Sequence, residues 1–161
     1  MIIKMNEMQR LQENFSLIRR AVGWTAQEFA DKIGVSKMTI SNIETGRYPL
    51  TKLQYIGIRS VLDAEIYSHK EETEMLATLL DMLVDHPENY ESEEKDELIQ
   101  KAQLISPSIL AGTATRKEAS KEWMKIAGTI CAASLTFLAS NPHLVKEIGS
   151  WIYKTMASKK K

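Results

Sequence analysis

Lys37, Met38, Ser41 and Asn42 fall on one face of a helix expected from Ser36 to Glu44, because the offsets of three and four that link Lys37 to Ser41 and Met38 to Ser41 and Asn42 return to the same side of a helix. Their chemistry is that of surface recognition. The Asn42 amide donates and accepts at once, so it can pair bidentately with adenine. Lys37 can donate to guanine or approach a phosphate, and Met38 can pack on a thymine methyl. Ser41 can donate or accept and specifies little alone. Arg47, Tyr48, Thr51 and Lys52 cluster where the chain leaves this helix, suited to phosphate contacts that fix register. The N-terminus of the preceding helix, with Gln27 in its first turn, offers amides to a further phosphate.

The elements that must position these side chains are legible in the spacing. A first helix is expected from Met8 to Val22, with Leu11, Phe15, Ile18 and Val22 on one apolar stripe. Gly23 ends it. Thr25-Ala26-Gln27-Glu28 is a capping box that opens a second helix, whose buried side is Phe29, Ala30 and Ile33. Gly34 supplies a left-handed turn residue. Ser36 caps the third helix, with Ile40 and Ile43 inward behind Val35, and Gly46 stops it. Two short helices joined by a tight glycine turn are the sequence form of a helix-turn-helix.

After Pro49, Thr51 and Gln54 form another capping box and open a fourth helix with two apolar stripes. Leu53, Ile56, Ser60, Val61 and Ala64 make one; Tyr55, Ile58, Leu62 and Ile66 make the other. A surface helix needs one buried stripe, so the second asks for a partner, either a second copy or the C-terminal region. Met75, Leu76, Leu79, Leu80 and Leu83 mark a fifth helix over Glu71–Asp85, possible as a continuation of the fourth and broken by His86-Pro87. A weaker amphipathic helix spans Ser92 to Ile105. Residues 106–116 have loop composition and read as a hinge. Thr115 and Glu118 form a capping box before a helix from Lys117 to Ser140, and Asn141-Pro142 opens a last one. The apolar run Ile126–Ala139 is short for the ~20 residues that span a bilayer. Trp123 and Trp151 could sit at a membrane interface, with basic flanks suited to anionic lipid. A packed hairpin, in which Gly128, Ala132 and Ala133 permit close approach to the face from Leu144 to Met156, is the better reading.

Composition narrows the function classes. The chain has 161 residues, 43% hydrophobic and 26% charged, as in an ordinary globular protein. The single cysteine, Cys131, makes no internal disulfide and reads as a small buried hydrophobe in a reducing compartment. The start, MIIKMNEMQR, lacks the apolar core and cleavage site of a signal peptide. The net charge of zero hides an uneven distribution: +2 over residues 1–69, −8 over 70–114 and +6 over 115–161. His69, His86 and His143 are scattered and have no metal-ligand spacing. Neither a glycine-rich phosphate loop nor a nucleophile motif is present, so no enzyme activity, cofactor or metal is expected.

The run TAQEFADKIGVSKMTISNIETGR, within residues 8–66, resembles the Xre/Cro-like helix-turn-helix family of bacterial and phage repressors. The resemblance implies a compact domain of about five helices, dimeric operator binding and transcriptional control. It carries Lys37, Met38, Ser41 and Asn42 onto base-facing positions and Arg47 onto a phosphate-contacting one. It also pairs Arg19 with Glu44, leaving Arg19 able to approach a phosphate. One position departs from the family: its usual backbone-contacting glutamine after the Thr25 position is Ala26 here. Gln27 stands next along, about 100° further round the helix.

The expected fold is therefore all-α, with an N-terminal five-helix Cro-like helix-turn-helix domain over residues 8–69. An acidic helical middle (70–105), a hinge (106–116) and a C-terminal helical hairpin for oligomerisation or sensing (117–158) follow. The expected function is a cytoplasmic, homodimeric repressor binding double-stranded DNA at an inverted repeat. Base contacts would come from Lys37, Met38, Ser41 and Asn42, and phosphate contacts from Arg19, Gln27, Arg47 and Thr51. The C-terminal region could take a protein or small effector. The alternative is an antitoxin-like adaptor whose C-terminal helices bind a partner while the DNA domain autoregulates.

Overall fold

The computed structural model describes residues 6–130, which form seven α-helices: α1 (Glu7–Val22), α2 (Ala26–Ile33), α3 (Lys37–Thr45), α4 (Lys52–Ser68), α5 (Glu74–Leu80), α6 (Ser92–Leu110) and α7 (Arg116–Ile130). Helix α5 runs on into a π-turn over Asp81–Asp85, and short 3-10 turns occupy Lys70–Glu72 and Pro87–Asn89. The all-α expectation holds, and no strand occurs among the described residues. Residues 131–140, the helix from Asn141, their hairpin, Cys131 and Trp151 lie outside the described residues.

Local chemistry fixes most helix starts. Thr25, Ser36, Thr51 and Thr115 each accept a hydrogen bond from the amide three residues on, satisfying donors that a first turn leaves orphaned. Asn6 and Gln9 form a further capping box at α1, one residue ahead of the expected helix. Helix α1 then supplies the centre of the core. Leu11, Phe15, Ile18 and Val22 are fully buried, and each such side chain stabilises the fold by roughly 1.5–3 kcal/mol. Phe29 meets Phe15 edge-on at 5.0 Å and Trp24 at 5.5 Å, joining α2 to α1.

The chain after α4 differs from expectation in three ways. The fifth helix does not continue α4. The chain breaks at His69, and α5 begins only at Glu74, beyond the 8–69 segment, which holds four helices. Residues 106–116 are not a loop throughout. Helix α6 passes through Pro107 to Leu110, leaving a short connection over 111–115. Buried Ile105 and Ser106 anchor this last part of the helix, while the carbonyl that Pro107 cannot bond belongs to exposed Gln103. Trp123 is not at a surface: it is fully buried, and its indole N–H donates to Thr78 Oγ1 at 3.4 Å. No described helix is long and apolar enough to cross a membrane.

Helix α1 packs against α3 and α4 and also against α5, the π-turn and α6. One continuous apolar core accordingly runs from Leu11 to Ala127, with no gap in packing at residue 69. Of the two stripes on α4, Tyr55, Ile58 and Leu62 are buried, Ile56, Val61 and Ile66 are half-buried against the core, and Leu53 is exposed.

A buried polar group ties α4 to the π-turn. Arg59 donates to both Asp85 oxygens at 2.6 and 3.0 Å, lies 3.6 Å from Asp63 and reaches the Tyr55 hydroxyl at 3.4 Å. Burial opposes the charge on Arg59, but Asp85 and Asp63 outweigh it and push its pKa up. Burial also pushes the Tyr55 phenol up to about 12, with Arg59 opposing. Asp85→Ala should lower the unfolding free energy in urea by about 3 kcal/mol, because it takes from a buried guanidinium the carboxylate that binds it through two hydrogen bonds. A loss under about 1 kcal/mol would show that Asp85 does not carry that charge. Tyr55 holds its proton more tightly folded than unfolded, so its contribution is complete below pH 10 and is lost as the pH rises from 10 towards about 12. The fall in unfolding midpoint over that window should be smaller in Tyr55→Phe than in the wild type, measured by denaturant titration at each pH.

Candidate nucleic-acid interface

Helix α3 is held at both ends by its own sequence. The Ser36 hydroxyl accepts from the Thr39 amide at 3.1 Å. Gly46, at φ +71°, turns the chain left-handed and returns its amide to the Asn42 and Ile43 carbonyls. Ile40 and Ile43 are buried against the core. Lys37 and Met38 are exposed, Met38 to 66%, while Ser41 and Asn42 are half-buried beside them. The four expected base-contacting side chains thus line the side of α3 away from its buried isoleucines.

At the helix exit, Arg47 and Tyr48 are exposed, with the Arg47 guanidinium 5.7 Å from the Tyr48 ring centroid. Thr51 is exposed. Its hydroxyl accepts from the Gln54 amide at 3.1 Å and keeps its own proton to donate. Gln27 is exposed in the first turn of α2, and its amide donates to Asp31 at 2.8 Å. A phosphate contact from Gln27 would have to share or displace that bond.

Arg19 is engaged inside the protein. Its Nε donates to Glu44, its Nη2 reaches the second Glu44 oxygen at 3.4 Å, and its Nη1 donates to the Trp24 carbonyl at 2.9 Å. The Arg19 side chain is 13% exposed. The pair therefore joins α1 to α3 and to the turn before α2, leaving two of the five guanidinium N–H groups for a phosphate.

Three polar side chains without a sequence signature also hold this region. Gln12 on α1 bonds to the end of α3 and the loop behind it. Arg116, which opens α7, donates to the Val22 carbonyl at 3.3 Å and pairs with Glu65 at 2.6 Å and Glu72 at 2.8 Å. That contact holds the Glu72 carboxyl below its ordinary range. Arg10 on α1 donates to the Val84 carbonyl at 2.6 and 2.9 Å. Their partners lie 31 or more residues away in the chain, so no local spacing announces them.

The arrangement is a stiff, capped helix presenting one donor–acceptor face, with cationic and hydroxyl groups at its exit. No group of His, Cys, Asp or Glu that could hold a metal occurs among the described residues. A helix-turn-helix family model matches residues 16–63, which comprise the C-terminal part of α1 from Ser16, all of α2 and α3, and most of α4. No curated protein and no solved structure matches the chain.

Because Arg19 joins three elements through charged hydrogen bonds, Arg19→Ala should cost about 1.5–3 kcal/mol in urea unfolding. A loss below about 0.5 kcal/mol, within the range of an ordinary surface substitution, would show that the bridge does not hold these elements together.

Proposed function

Residues 16–63 belong to the Xre/Cro-like helix-turn-helix family of DNA-binding regulators, and from that premise we propose that the chain is a sequence-specific, dimeric repressor of transcription. The observation that carries the reading is the outward face of α3. There Lys37 and Met38 stand exposed beside Ser41 and Asn42, while capping at both ends and two buried isoleucines fix the helix itself.

In this reading α3 enters the major groove. Asn42 pairs bidentately with an adenine, Lys37 donates to a guanine or a phosphate, Met38 packs on a thymine methyl and Ser41 adjusts to either base. Arg47 and Thr51 contact phosphates at the groove edge, joined by Gln27 at the start of α2 and by the two remaining N–H groups of Arg19. Two copies place their α3 helices in successive major grooves about 34 Å apart, on an inverted repeat. The site of action is the cytoplasm.

Genome-wide mapping of bound DNA, followed by titration of the recovered site against mixed-sequence duplex, tests the assignment. Asn42→Ala should lose about 1–3 kcal/mol on the recovered site and little on mixed sequence. Arg47→Ala should weaken both by a similar factor and make the salt dependence shallower by about 0.9 in log–log slope. Equal losses for Asn42→Ala on the two duplexes would remove Asn42 from base reading. Recovered sites without two-fold symmetry would overturn the dimeric inverted-repeat arrangement.

A further inference from the structure

We propose that Gln12, which lies outside the matched segment, is a positioning residue that sets the phosphate-contacting loop behind α3; this rests on the DNA-binding reading above. The loop runs from Gly46 to Leu50, between α3 and α4. Only part of its backbone is satisfied locally. The Arg47 amide returns to the Asn42 carbonyl at 3.1 Å, and Pro49 has no amide to give.

Gln12 supplies what is missing through one planar group. Its Nε2 donates to the Tyr48 carbonyl at 2.7 Å and to the Ile43 carbonyl at 3.3 Å, while its Oε1 accepts from the Leu50 amide at 2.9 Å. A carboxamide has two N–H groups and a carbonyl oxygen in a fixed plane. Three bonds to that plane lock the last turn of α3, the middle of the loop and its final residue relative to one another. Arg47 lies between two of these locked points, and Tyr48 carries one of them. A loop left to itself would lose conformational freedom on contacting DNA, whereas this one is set beforehand, which lowers the cost of binding.

Gln12 itself touches no base or phosphate; it acts through Arg47 and Tyr48. Gln12→Met keeps the side-chain length and removes all three bonds. The Tyr48 bond is exposed, where water can serve the freed carbonyl, while the bonds to Ile43 and Leu50 are part-buried, so loop order should be lost before helix content.

The test is a double-mutant cycle between Gln12→Met and Arg47→Ala. Binding is read by fluorescence anisotropy on a mixed-sequence duplex over a series of salt concentrations, with helix content followed by far-ultraviolet circular dichroism. Gln12→Met should retain its helix content, bind about tenfold more weakly and show a log–log salt slope shallower by about 0.9, the value of one phosphate contact. Arg47→Ala should cost the wild type about tenfold but the Gln12→Met protein under about threefold. An equal Arg47→Ala loss in both backgrounds, with the slope unchanged by Gln12→Met, would reduce Gln12 to a purely structural role and overturn the proposal. If the methionine variant does not fold, Gln12→Ala, uncharged and likewise without the three bonds, enters the same cycle and is read the same way. A wild-type chain without salt-dependent binding would overturn the DNA-binding reading itself, a different result from an intact wild type with an uncoupled Gln12.

Discussion

Helix α1 must serve two sets of neighbours at once, and the rest of the molecule is arranged around that demand. Leu11, Phe15, Ile18 and Val22 are completely buried, and α1 meets α3 and α4 as well as α5, the π-turn and α6. A helix of 16 residues with so many contacts cannot shift without repacking several others, because protein interiors are close-packed and do not deform smoothly. The recognition helix therefore inherits its position from elements that lie far from it in sequence. The acidic middle of the chain is not a separate unit hung from the helix-turn-helix; it completes the core on which that motif stands.

Polar side chains finish the work that apolar packing begins. Gln12, Arg10, Arg19 and Arg116 each reach a main-chain carbonyl at a helix end or in a loop. Carbonyls in such places have no helical partner, and an unmade hydrogen bond at a buried group costs about 1–3 kcal/mol. These long side chains satisfy the backbone and fix the angle between elements in the same contact. Arg59 does the equivalent for α4 and the π-turn, through carboxylates instead of carbonyls.

Short-range physics was the part of the fold legible in the sequence. The starts of α2, α3, α4 and α7 came from a hydroxyl and the amide three residues on, and the ends of α1, α2 and α3 from glycine. The stripe on α1 and the leucines of α5 were legible because a periodic apolar pattern has one good solution. The family motif and its outward face were legible for the same reason. The break at His69 was not, since no proline or glycine marks it, and the passage of α6 through Pro107 was hidden because packing by Ile105 and Ser106 overrides a poor local preference. Gln12, Arg59 and Arg116 were illegible in a stronger sense. Each is an ordinary polar residue on a helix, and only the tertiary fold brings its partners within reach.

Gly23 carries the consequence of so much shared packing. It opens the turn before α2 at φ +82°, and a Cβ there would stand 2.7 Å from Ile109 Cγ2, with Arg116 close by. The turn that leads into the helix-turn-helix is thus pressed against the junction of α6 and α7. A reading head built this way is not an interchangeable cartridge. Grafting residues 16–63 onto another scaffold would transfer the side chains proposed to contact DNA and leave behind the surface that holds α2 and α3 in place. On the proposed function, a change in the DNA sequence read would be expected to involve α1, α6 and α7 as well as α3.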